Sequence, residues 1–344
     1  MYKGTPANME RVKLDRIRKS MGIGKLILQN FRNYPKREFE FSDKTVIIGN
    51  NGSGKTNIVE AIYLLSTGKS FRADSDVEML SWEESFFRVT GEISHLGQIS
   101  QIGLIMNEGR KKFEVNGVSR RMVDFVGRMP TVLFAPQDME LITGSPGKRR
   151  RYLDFVISQM DREYRRCLVS YEKGLRQRNK LLDMIREGRA QRSQLYFWDR
   201  LLIKNGEYIT VKRAEYLIAA MCDYDKSVIS EARLKQYEHE EVMAATTLVG
   251  PHRDDFVILK DGRDVSKYGS RGEQRMMMWW LKQCEINYLD GQPVLLLDDI
   301  FSELDHEHRA EVAEYVRNYT GQVIATEADE HLLPEGVEWQ VITL

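Results

Sequence analysis

The chain has 344 residues, 42% of them hydrophobic and 30% charged, a composition typical of globular proteins rather than of disordered or fibrous chains. Basic and acidic residues number 51 each, so the net charge of zero excludes a protein that is basic over its whole surface. No apolar run approaches the roughly 20 residues of a membrane-spanning helix, and no membrane partner is expected. Three widely spaced cysteines predict reduced, buried thiols in a cytoplasmic protein.

Residues 1–20 differ in composition from the rest of the chain. They hold six basic and two acidic residues and almost no strongly apolar ones, so they cannot contribute much to a hydrophobic core. We expect a basic, disordered extension, after which Met21 opens the first well-patterned segment. An upstream extension is favoured over an arm that contacts nucleic acid.

Residues 21–145 show a pattern of strands, one helix and further strands. Apolar alternation predicts strands within residues 25–48, and the last of them ends at Gly49. Apolar residues then recur three and four positions apart over residues 58–65, which is typical of a helix. Residues 86–135 have the pattern of several short strands joined by turns.

Residues 146–245 have a helical period and almost no proline. Seven apolar residues recur at steps of three and four from Leu153 to Leu175, which predicts one amphipathic helix. Residues 246–344 return to strands and turns. This layout predicts an α/β head made of 21–145 and 246–344, interrupted by a helical arm subdomain at 146–245.

The strongest motif is a glycine-rich loop that matches G-x-x-x-x-G-K-[ST] between a predicted strand and a predicted helix. Its glycines let backbone N–H groups surround a phosphate, and the following helix adds the positive end of its dipole. Lys55 would reach the β- and γ-phosphates, and the Thr56 hydroxyl would bind Mg²⁺. The motif predicts a site for a nucleoside triphosphate such as ATP at Gly49, Asn50, Asn51, Gly52, Ser53, Gly54, Lys55 and Thr56.

The second motif is a hydrophobic strand that ends in two carboxylates. The apolar run 294–297 leads directly into Asp298 and Asp299. Magnesium-dependent phosphoryl transfer needs a carboxylate that holds the metal and a group that orients the attacking water. We expect Asp298 to bind Mg²⁺, and Asp299 and Lys55 to act in catalysis. A strand with a merely polar end is the alternative, and the glycine-rich loop makes it the weaker one.

A third motif lies at residues 270–274. Ser270, Gly272 and Gln274 open a predicted helix, and the simple interpretation is an ordinary helix cap. A second interpretation follows from its place in the chain, shortly before the strand that ends at Asp298. A Ser-x-Gly-x-Gln turn in that place is similar to the signature of ABC-type ATPases. In those proteins the turn contacts the nucleotide bound to the other subunit. Residues 301–305 resemble the D-loop of the same class.

These motifs and five further segments resemble the RecF family from about Met21 to the end of the chain. Motifs and further segments together are, in chain order, Leu28–Tyr34, Gly49–Thr56, Gly68–Arg72, Pro146–Asp154, Gln177–Asn179, Gly250–Asp255, Ser270–Gln274 and Leu297–Asp305. Members of this family are SMC-like ABC-type ATPases with a short helical arm in place of a long coiled coil. The resemblance implies an α/β fold with a P-loop ABC/SMC-type ATPase head and an inserted helical arm.

The resemblance also implies an ATP-dependent DNA-binding protein of recombinational repair and replication-fork maintenance. ATP would drive a homodimer that clamps single-stranded and gapped duplex DNA and, with RecO and RecR, helps to load RecA. Asp299 is one methylene shorter than the glutamate of most ABC-type ATPases, so we expect weak, DNA-stimulated hydrolysis that acts as a switch. Gln137 is a candidate Q-loop residue and Mg²⁺ ligand, and Thr326 is the candidate for the place of the transporters' switch histidine.

The predicted arm is a candidate DNA-binding surface. Residues 148–213 hold 18 basic and 8 acidic residues, which favours contact with phosphates and little reading of base sequence. We expect DNA contacts from Arg149, Arg150 and Arg151. A solvated basic face, or pairing of these arginines with Asp154, is the structural alternative.

Two other functions fit part of the pattern. The nucleotide-binding subunit of a transporter is disfavoured, since 214 residues separate Thr56 from Ser270 and no histidine occupies the switch position. Another SMC-like ATPase or ATP-binding scaffold that does not act at DNA gaps stays open, because the sequence does not reveal whether Asp299 is active. The cluster Gly250–Asp255 lacks the ligand spacing of a metal site and predicts a hydrogen-bonded turn of unassigned function.

Overall fold

The computed structural model describes the chain over the ranges 21–95, 97–289, 292–303 and 306–344. The predicted basic extension, residues 1–20, lies outside these ranges. The chain forms two compact units, each described by itself below. Residues up to Gln137 join Glu285–Leu344 in the first unit, and Asp138–Cys284 form the second.

The second unit is wider than the arm that the sequence predicts at 146–245. The difference arises because the strand Asp255–Val257 pairs with the strand Asp223–Asp225, with Phe256 opposite Tyr224. Backbone pairing therefore joins the segment after residue 245 to the helical region rather than to the head.

The strands fall into two larger sheets and two short antiparallel pairs. They are β1 (Gly22–Phe31), β2 (Tyr34–Glu40), β3 (Lys44–Ile48), β4 (Phe86–His95), β5 (Gln98–Asn107), β6 (Arg110–Val115), β7 (Val118–Arg120), β8 (Thr131–Phe134), β9 (Asp223–Asp225), β10 (Asp255–Val257), β11 (Leu259–Lys260), β12 (Arg263–Asp264), β13 (Val294–Asp298), β14 (Val323–Glu327) and β15 (Gln340–Thr343).

The α-helices range from one turn to seven turns. They are α1 (Lys55–Thr67), α2 (Met122–Phe125), α3 (Glu140–Thr143), α4 (Pro146–Met160), α5 (Arg162–Arg186), α6 (Tyr196–Ala219), α7 (Glu231–Gln236), α8 (Glu238–Ala244), α9 (Val265–Tyr268), α10 (Arg271–Tyr288), α11 (Ile300–Glu303) and α12 (His306–Asn318).

The first unit contains a six-stranded antiparallel sheet in the order β2-β1-β4-β5-β6-β7. Its strands follow the period of two that the sequence shows. Along β4, Phe87, Val89 and Ile93 are buried, whereas Arg88 and Glu92 on the other face are exposed. One face of this sheet therefore belongs to the core.

The same unit contains a five-stranded parallel sheet in the order β15-β3-β14-β13-β8. Every residue of β13 and of β14 is buried, which explains why each strand begins with a continuous apolar run rather than an alternating pattern. Because the strands are parallel, their carboxyl ends meet at one edge. That edge carries Gly49 after β3, Asp298 at the end of β13 and Glu327 at the end of β14.

Helix α1 packs against β13 and β14 of the parallel sheet and against β4 and β5 of the antiparallel sheet. Its close approach depends on Gly91 in β4, where a Cβ atom would lie 2.8 Å from Cδ1 of Leu65. The helix is buried along almost its whole length and begins directly after the glycine-rich loop. The helix that begins at Lys55 is thus packed against both sheets.

The second unit is built around α5 and α6, which pack along each other. Two glycines allow the close contact. A Cβ atom on Gly174 of α5 would lie 2.6 Å from Cδ2 of Leu201, and one on Gly206 of α6 would lie 3.1 Å from Cε2 of Tyr171. The helical nature of this region agrees with the sequence period.

The single helix predicted across Leu153–Leu175 is wrong. The chain leaves the helical conformation at Asp161, whose side chain accepts a hydrogen bond from the backbone N–H of Tyr164 and caps α5. The apolar stripe continues across the break, so a period of 3.6 residues alone does not reveal it. Met160, which belongs to the predicted apolar stripe, is the last residue of α4 and is 43% exposed.

Among the described residues, no helix combines the length and apolar character needed to cross a membrane. The three cysteines are free thiols. Cys167 is buried as predicted, whereas Cys222 and Cys284 are partly exposed. Burial raises the pKa of Cys167 to about 11 and that of Cys222 to about 12, so both are protonated at neutral pH.

Candidate nucleotide-binding site

The glycine-rich loop joins β3 to α1 and requires glycine at two positions for reasons of space. Gly54 has φ of +111°, and a Cβ atom there would lie 2.6 Å from Oη of Tyr34 and 2.7 Å from Nδ2 of Asn33. A Cβ atom on Gly49 would lie 2.7 Å from Oγ of Ser53. The loop therefore forms a tight cradle at the start of a helix.

Polar atoms in this cradle lack internal partners. The hydroxyls of Tyr34 and Ser53 are buried, and neither forms a hydrogen bond. Burial raises the pKa of Tyr34 to about 12, so its hydroxyl remains a donor at neutral pH. Unpaired buried donors next to a helix N-terminus fit a group rich in acceptor oxygens, such as a phosphate.

Lys55 lies at the mouth of the loop with only 4% of its side chain exposed. Its ammonium group donates to the carbonyl oxygen of Gly49 at 2.7 Å and to that of Asn50 at 3.4 Å. It also lies 4.0 Å from Oδ1 of Asp299. The cation is thus placed between the loop and the carboxylates that follow β13.

Asp298 is the centre of the predicted metal site. Its Oδ1 accepts hydrogen bonds from Oγ1 of Thr56 at 3.1 Å and from Oγ1 of Thr326 at 2.8 Å. Burial raises the pKa of Asp298, and the hydrogen bond from Thr326 opposes that rise. A hydroxyl and a carboxylate from two elements form the hard oxygen donor set that Mg²⁺ prefers, so these residues fit the ion.

Asp299 occupies a turn that few side chains adopt, with φ of +51°. Its backbone N–H donates to the carbonyl oxygen of Thr326 at 3.2 Å and to its hydroxyl at 3.0 Å. Thr326, the candidate for the switch position, therefore binds both carboxylate residues. The Asp299 side chain is 31% exposed.

Gln137 lies three residues beyond the end of β8, the strand that pairs with β13. Its place in the sheet puts it beyond the same carboxyl edge as Asp298. Its role as a Mg²⁺ ligand stays a prediction.

Sequence reasoning missed Glu327, the last residue of β14. Its side chain is fully buried, and Oε1 accepts a hydrogen bond from the backbone N–H of Phe301 at 2.8 Å. The other oxygen, Oε2, is buried without a hydrogen-bond partner. Burial raises the pKa of Glu327 to about 7. In the sequence, Glu327 directly follows Thr326, the candidate for the switch position, and this neighbourhood could have marked it as a residue of the site.

Sequence reasoning also missed Glu60, a fully buried residue of α1. Its carboxylate accepts hydrogen bonds from Arg32 at 2.7 and 2.8 Å, from Arg72 at 2.8 and 3.0 Å, and from Ser70 at 2.5 Å. Burial favours a raised pKa, but the two arginines and Ser70 outweigh it, and the pKa of Glu60 is lowered. The carboxylate joins segments 28–34 and 68–72, both of which carry the family resemblance.

The predicted signature turn caps α10 in the second unit. The hydroxyl of Ser270 accepts from the N–H of Glu273 at 3.2 Å, and the Glu273 side chain accepts from the N–H of Ser270 at 2.9 Å. Gln274 donates to the carbonyl oxygen of Val265 at 3.3 Å, and Gly272 lies between them in the first turn. Ser270 itself is exposed. The turn has the geometry of a capping box, and its contact with a second subunit stays a prediction.

The predicted DNA-contacting arginines make internal contacts. Arg149 binds both carboxylate oxygens of Asp255, at 2.6 and 2.8 Å, and Arg150 donates to the carbonyl oxygen of Asp254 at 2.8 Å. The guanidinium of Arg151 lies 5.3 Å from the ring centre of Phe155. These contacts fit the structural alternative given above, in which the arginines pair within the chain. The partner of Arg149, however, is Asp255 rather than Asp154.

The cluster Gly250–Asp255 is the polar centre of the second unit. Arg213, with 3% of its side chain exposed, binds Asp254 at 2.9 Å and Asp154 at 2.8 Å. Tyr224 donates to Asp254 at 2.5 Å. Burial raises the pKa of Asp254, and Arg213 opposes that rise. The described residues contain no group of acidic, histidine and cysteine side chains able to hold a metal ion, and the cluster instead ties helices to strands.

Comparison with known proteins identifies the family. The protein-family model described as RecF/RecN/SMC N terminal domain matches residues 22–343 of this chain. The chain belongs to the RecF family. A DNA replication and repair protein RecF of Moorella thermoacetica is 35% identical over 92% of this chain and 92% of its own length. The same-named protein of Shouchella clausii is 33% identical over 93% of this chain and 98% of its own.

Solved structures support the same assignment. A recombination mediator protein RecF-ATPrS in the RecFOR pathway matches with a TM-score of 0.86 and 31% identity, over 94% of this chain and 96% of that one. The corresponding RecF-ATP structure matches with a TM-score of 0.84, also at 31% identity. The predicted fold, a P-loop ABC/SMC-type ATPase head with a helical insertion, is confirmed.

Proposed function

We propose that this chain is a cytoplasmic, ATP-dependent DNA-binding protein of recombinational repair and replication-fork maintenance. The observation that carries the proposal is the meeting of four side chains at one sheet edge. Thr56 lies 3.1 Å from Asp298, and Lys55 lies 4.0 Å from Asp299, although about 240 residues separate the pairs. The names of the relatives, a DNA replication and repair protein and a recombination mediator bound to ATP, support the same function.

Each residue of the site has a chemical task in this proposal. Lys55 and the loop N–H groups bind the phosphates, and Thr56 and Asp298 hold Mg²⁺, which would neutralise charge on the phosphate oxygens. Asp299 orients the attacking water. Its short side chain on a turn fixed by Thr326 makes this orientation imperfect, so hydrolysis is slow and serves release rather than product formation.

The active unit is a homodimer in which each subunit completes the other's site. Ser270, Gly272 and Gln274 would approach the γ-phosphate of the partner, and the exposure of Ser270 supports this role. Ser270→Arg is expected to abolish ATP-driven dimers in sedimentation velocity while ATP still binds the monomer. Normal dimers of that variant would refute the composite site.

DNA would lie along an exposed face of α5. Residues spaced three and four apart make one stripe of this helix, and all are exposed: Arg162, Arg166, Val169, Lys173, Arg176 and Lys180. The stripe spans about 27 Å at 1.5 Å per residue, enough to follow several backbone phosphates. It is a better candidate than Arg149, Arg150 and Arg151 because its residues are exposed, although Arg166 pairs with Glu163, whereas those three arginines are only partly exposed.

The stripe can be tested by charge reversal. K173E/R176E/K180E should weaken binding to DNA of every sequence and lower the slope of log affinity against log salt by about 0.9 for each phosphate that the variant no longer neutralises. The exposed lysines Lys226 and Lys235 of the same unit serve as the control pair. Equal effects of both sets would show that net charge, rather than this stripe, determines binding.

The function itself is tested by fluorescence anisotropy on gapped duplex DNA with ATP, with ADP and without nucleotide, at two salt concentrations. Tight binding only with ATP, weakened by salt and absent in Lys55→Ala, would support the proposal. Lys36→Ala, an exposed residue of the same unit, is the control. DNA binding that does not depend on nucleotide would contradict the proposed function. Normal ATP-dependent DNA retention by Asp299→Asn would indicate that binding, rather than hydrolysis, holds the DNA.

RecO- and RecR-like mediators are the proposed partners, by analogy with the RecFOR pathway named for the structural relatives. Co-purification of this chain with such proteins on gapped DNA would test the partnership. Loading of a recombinase that is unaffected by removal of this chain would contradict it.

A further inference from the structure

Glu327 contacts two segments that border the nucleotide site. Its backbone carbonyl oxygen accepts the N–H of Gly49, the first residue of the glycine-rich loop, at 3.4 Å. Its carboxylate accepts the N–H of Phe301 at 2.8 Å and that of Ser302, both in α11. One residue therefore joins the loop that holds phosphates to the helix that begins the D-loop-like segment.

The Glu327 carboxylate is in an environment that tolerates its charge poorly. The side chain is fully buried, and Oε2 is without a hydrogen-bond partner. A buried polar atom without a partner costs free energy, and such atoms in native proteins call for an explanation. Two charged groups act on the carboxylate, Asp299 at the end of β13 and Lys55 at the start of α1. Nothing in the assigned roles of the site uses this group.

We propose that Glu327 is a positioning residue that transmits occupancy of the glycine-rich loop to α11. The inference rests on the proposed function, because it needs a triphosphate at the loop. It goes further in assigning the coupling to one side chain and two backbone N–H groups. Thr326 holds the metal-binding and water-orienting residues, and Glu327 holds the segment that follows them.

The coupling follows from electrostatics. The pKa of Glu327, about 7 because of burial and Asp299, means that the carboxylate is only marginally stable in its charged form. Negative phosphates that recruit Lys55 add repulsion and favour protonation at Oε2, with the proton taken from solvent. A neutral carboxyl group accepts hydrogen bonds about half as strongly as a carboxylate. Nucleotide binding would thus loosen the bonds to Phe301 and Ser302 and free α11 to engage a partner.

Two measurements test the coupling without relying on ATPase activity. Calorimetric titration with ATP and Mg²⁺ in buffers of different ionisation enthalpy gives the number of protons taken up. At pH 7.5 a carboxyl with a pKa of about 7 is about one-quarter protonated, so the wild type should take up as much as about 0.7 proton more than Glu327→Gln. Hydrogen exchange at the amides of Phe301 and Ser302 should accelerate when ATP binds the wild type.

Glu327→Gln keeps the size of the side chain and removes its charge, so its α11 amides should exchange fast with and without ATP. Its affinity for ATP should stay within about threefold of the wild type. Glu330→Gln, an exposed residue three positions on, should behave as the wild type. Equal proton uptake in wild type and Glu327→Gln would overturn the inference.

Unchanged amide exchange of the wild-type α11 on ATP binding would also overturn it, and this result does not depend on the variant. Failure of the wild type to bind ATP would refute the proposed function and the coupling together. Binding of ATP without the proton and exchange signatures would refute the coupling alone.

Discussion

Glu60 offers a test of what holds the nucleotide-binding helix in place. We expect Glu60→Ala to lower the free energy of unfolding strongly, because it leaves the guanidinium groups of Arg32 and Arg72 without their carboxylate. Removal of one partner from a buried ion pair costs about 3–5 kcal/mol. The arginine side chains are 19% and 34% exposed and can gain some hydration, which places the expected loss near the lower limit, about 3 kcal/mol.

Urea denaturation followed by circular dichroism measures this loss. Glu38→Ala is the matched control. Glu38 of β2 pairs with Lys25 of β1 at 2.7 Å but is 48% exposed, so its removal should leave the free energy of unfolding almost unchanged. A second effect follows from the chain of contacts beyond Arg72. Arg72 binds Asn57, and Asn57 binds Asn33, which donates to the Ser53 carbonyl oxygen of the loop.

Glu60→Ala should therefore also weaken ATP binding, although Glu60 does not itself reach the loop. A decrease of less than about 1 kcal/mol in the free energy of unfolding would refute the reasoning. Such a result would mean that other partners or water bind the two arginines equally well in the variant. It would also mean that the desolvation free energy of the buried carboxylate is as large as the stabilisation from its ion pairs.

Three further predictions concern other parts of the chain. Gly54→Ala should lower ATP affinity at least tenfold in a fluorescent-nucleotide titration because its Cβ meets Tyr34, whereas Gly52→Ala, with positive φ but open space, should do less. Arg213→Met should destabilise the second unit to urea by about 3–5 kcal/mol and leave ATP affinity unchanged; weakened ATP binding would contradict this. The pKa of Glu327 is raised from 4.5 to about 7, so the free energy of unfolding should fall by as much as about 3 kcal/mol as pH rises through that range. Glu327→Gln should lack this fall; an unchanged pH dependence would refute the buried-carboxyl explanation.

Local sequence signals pointed to residues that the structure brings together at the candidate nucleotide site. The loop Gly49–Thr56 and the strand before Asp298 each carry their pattern within one short segment, and the structure brings Thr56 and Asp298 together. The break at Asp161 escaped prediction because apolar periodicity continues through it. A capping side chain acts through one hydrogen bond, which leaves no mark on the hydrophobic pattern.

Residues whose role depends on distant partners escaped prediction for a different reason. Glu60, Glu327 and Arg213 are charged, and charged residues are normally assigned to the surface. Glu60 and Arg213 are buried because charged partners from elsewhere in the chain compensate their loss of hydration. Glu327 lacks such a partner for Oε2, and burial raises its pKa to about 7. Arg213 meets Asp254 across 41 positions of sequence, a pairing that no local pattern encodes.

The strand order of the parallel sheet has a consequence for synthesis of the protein. β3, made early, lies between β14 and β15, which are made last. Thr56 must wait for Asp298, 242 residues later, which takes about 12–50 s at 5–20 residues per second. The second unit emerges from the ribosome complete while the apolar β3 still lacks both neighbours. A nascent chain is therefore expected to need protection of this strand, and ATP can stabilise the head only after translation has nearly ended.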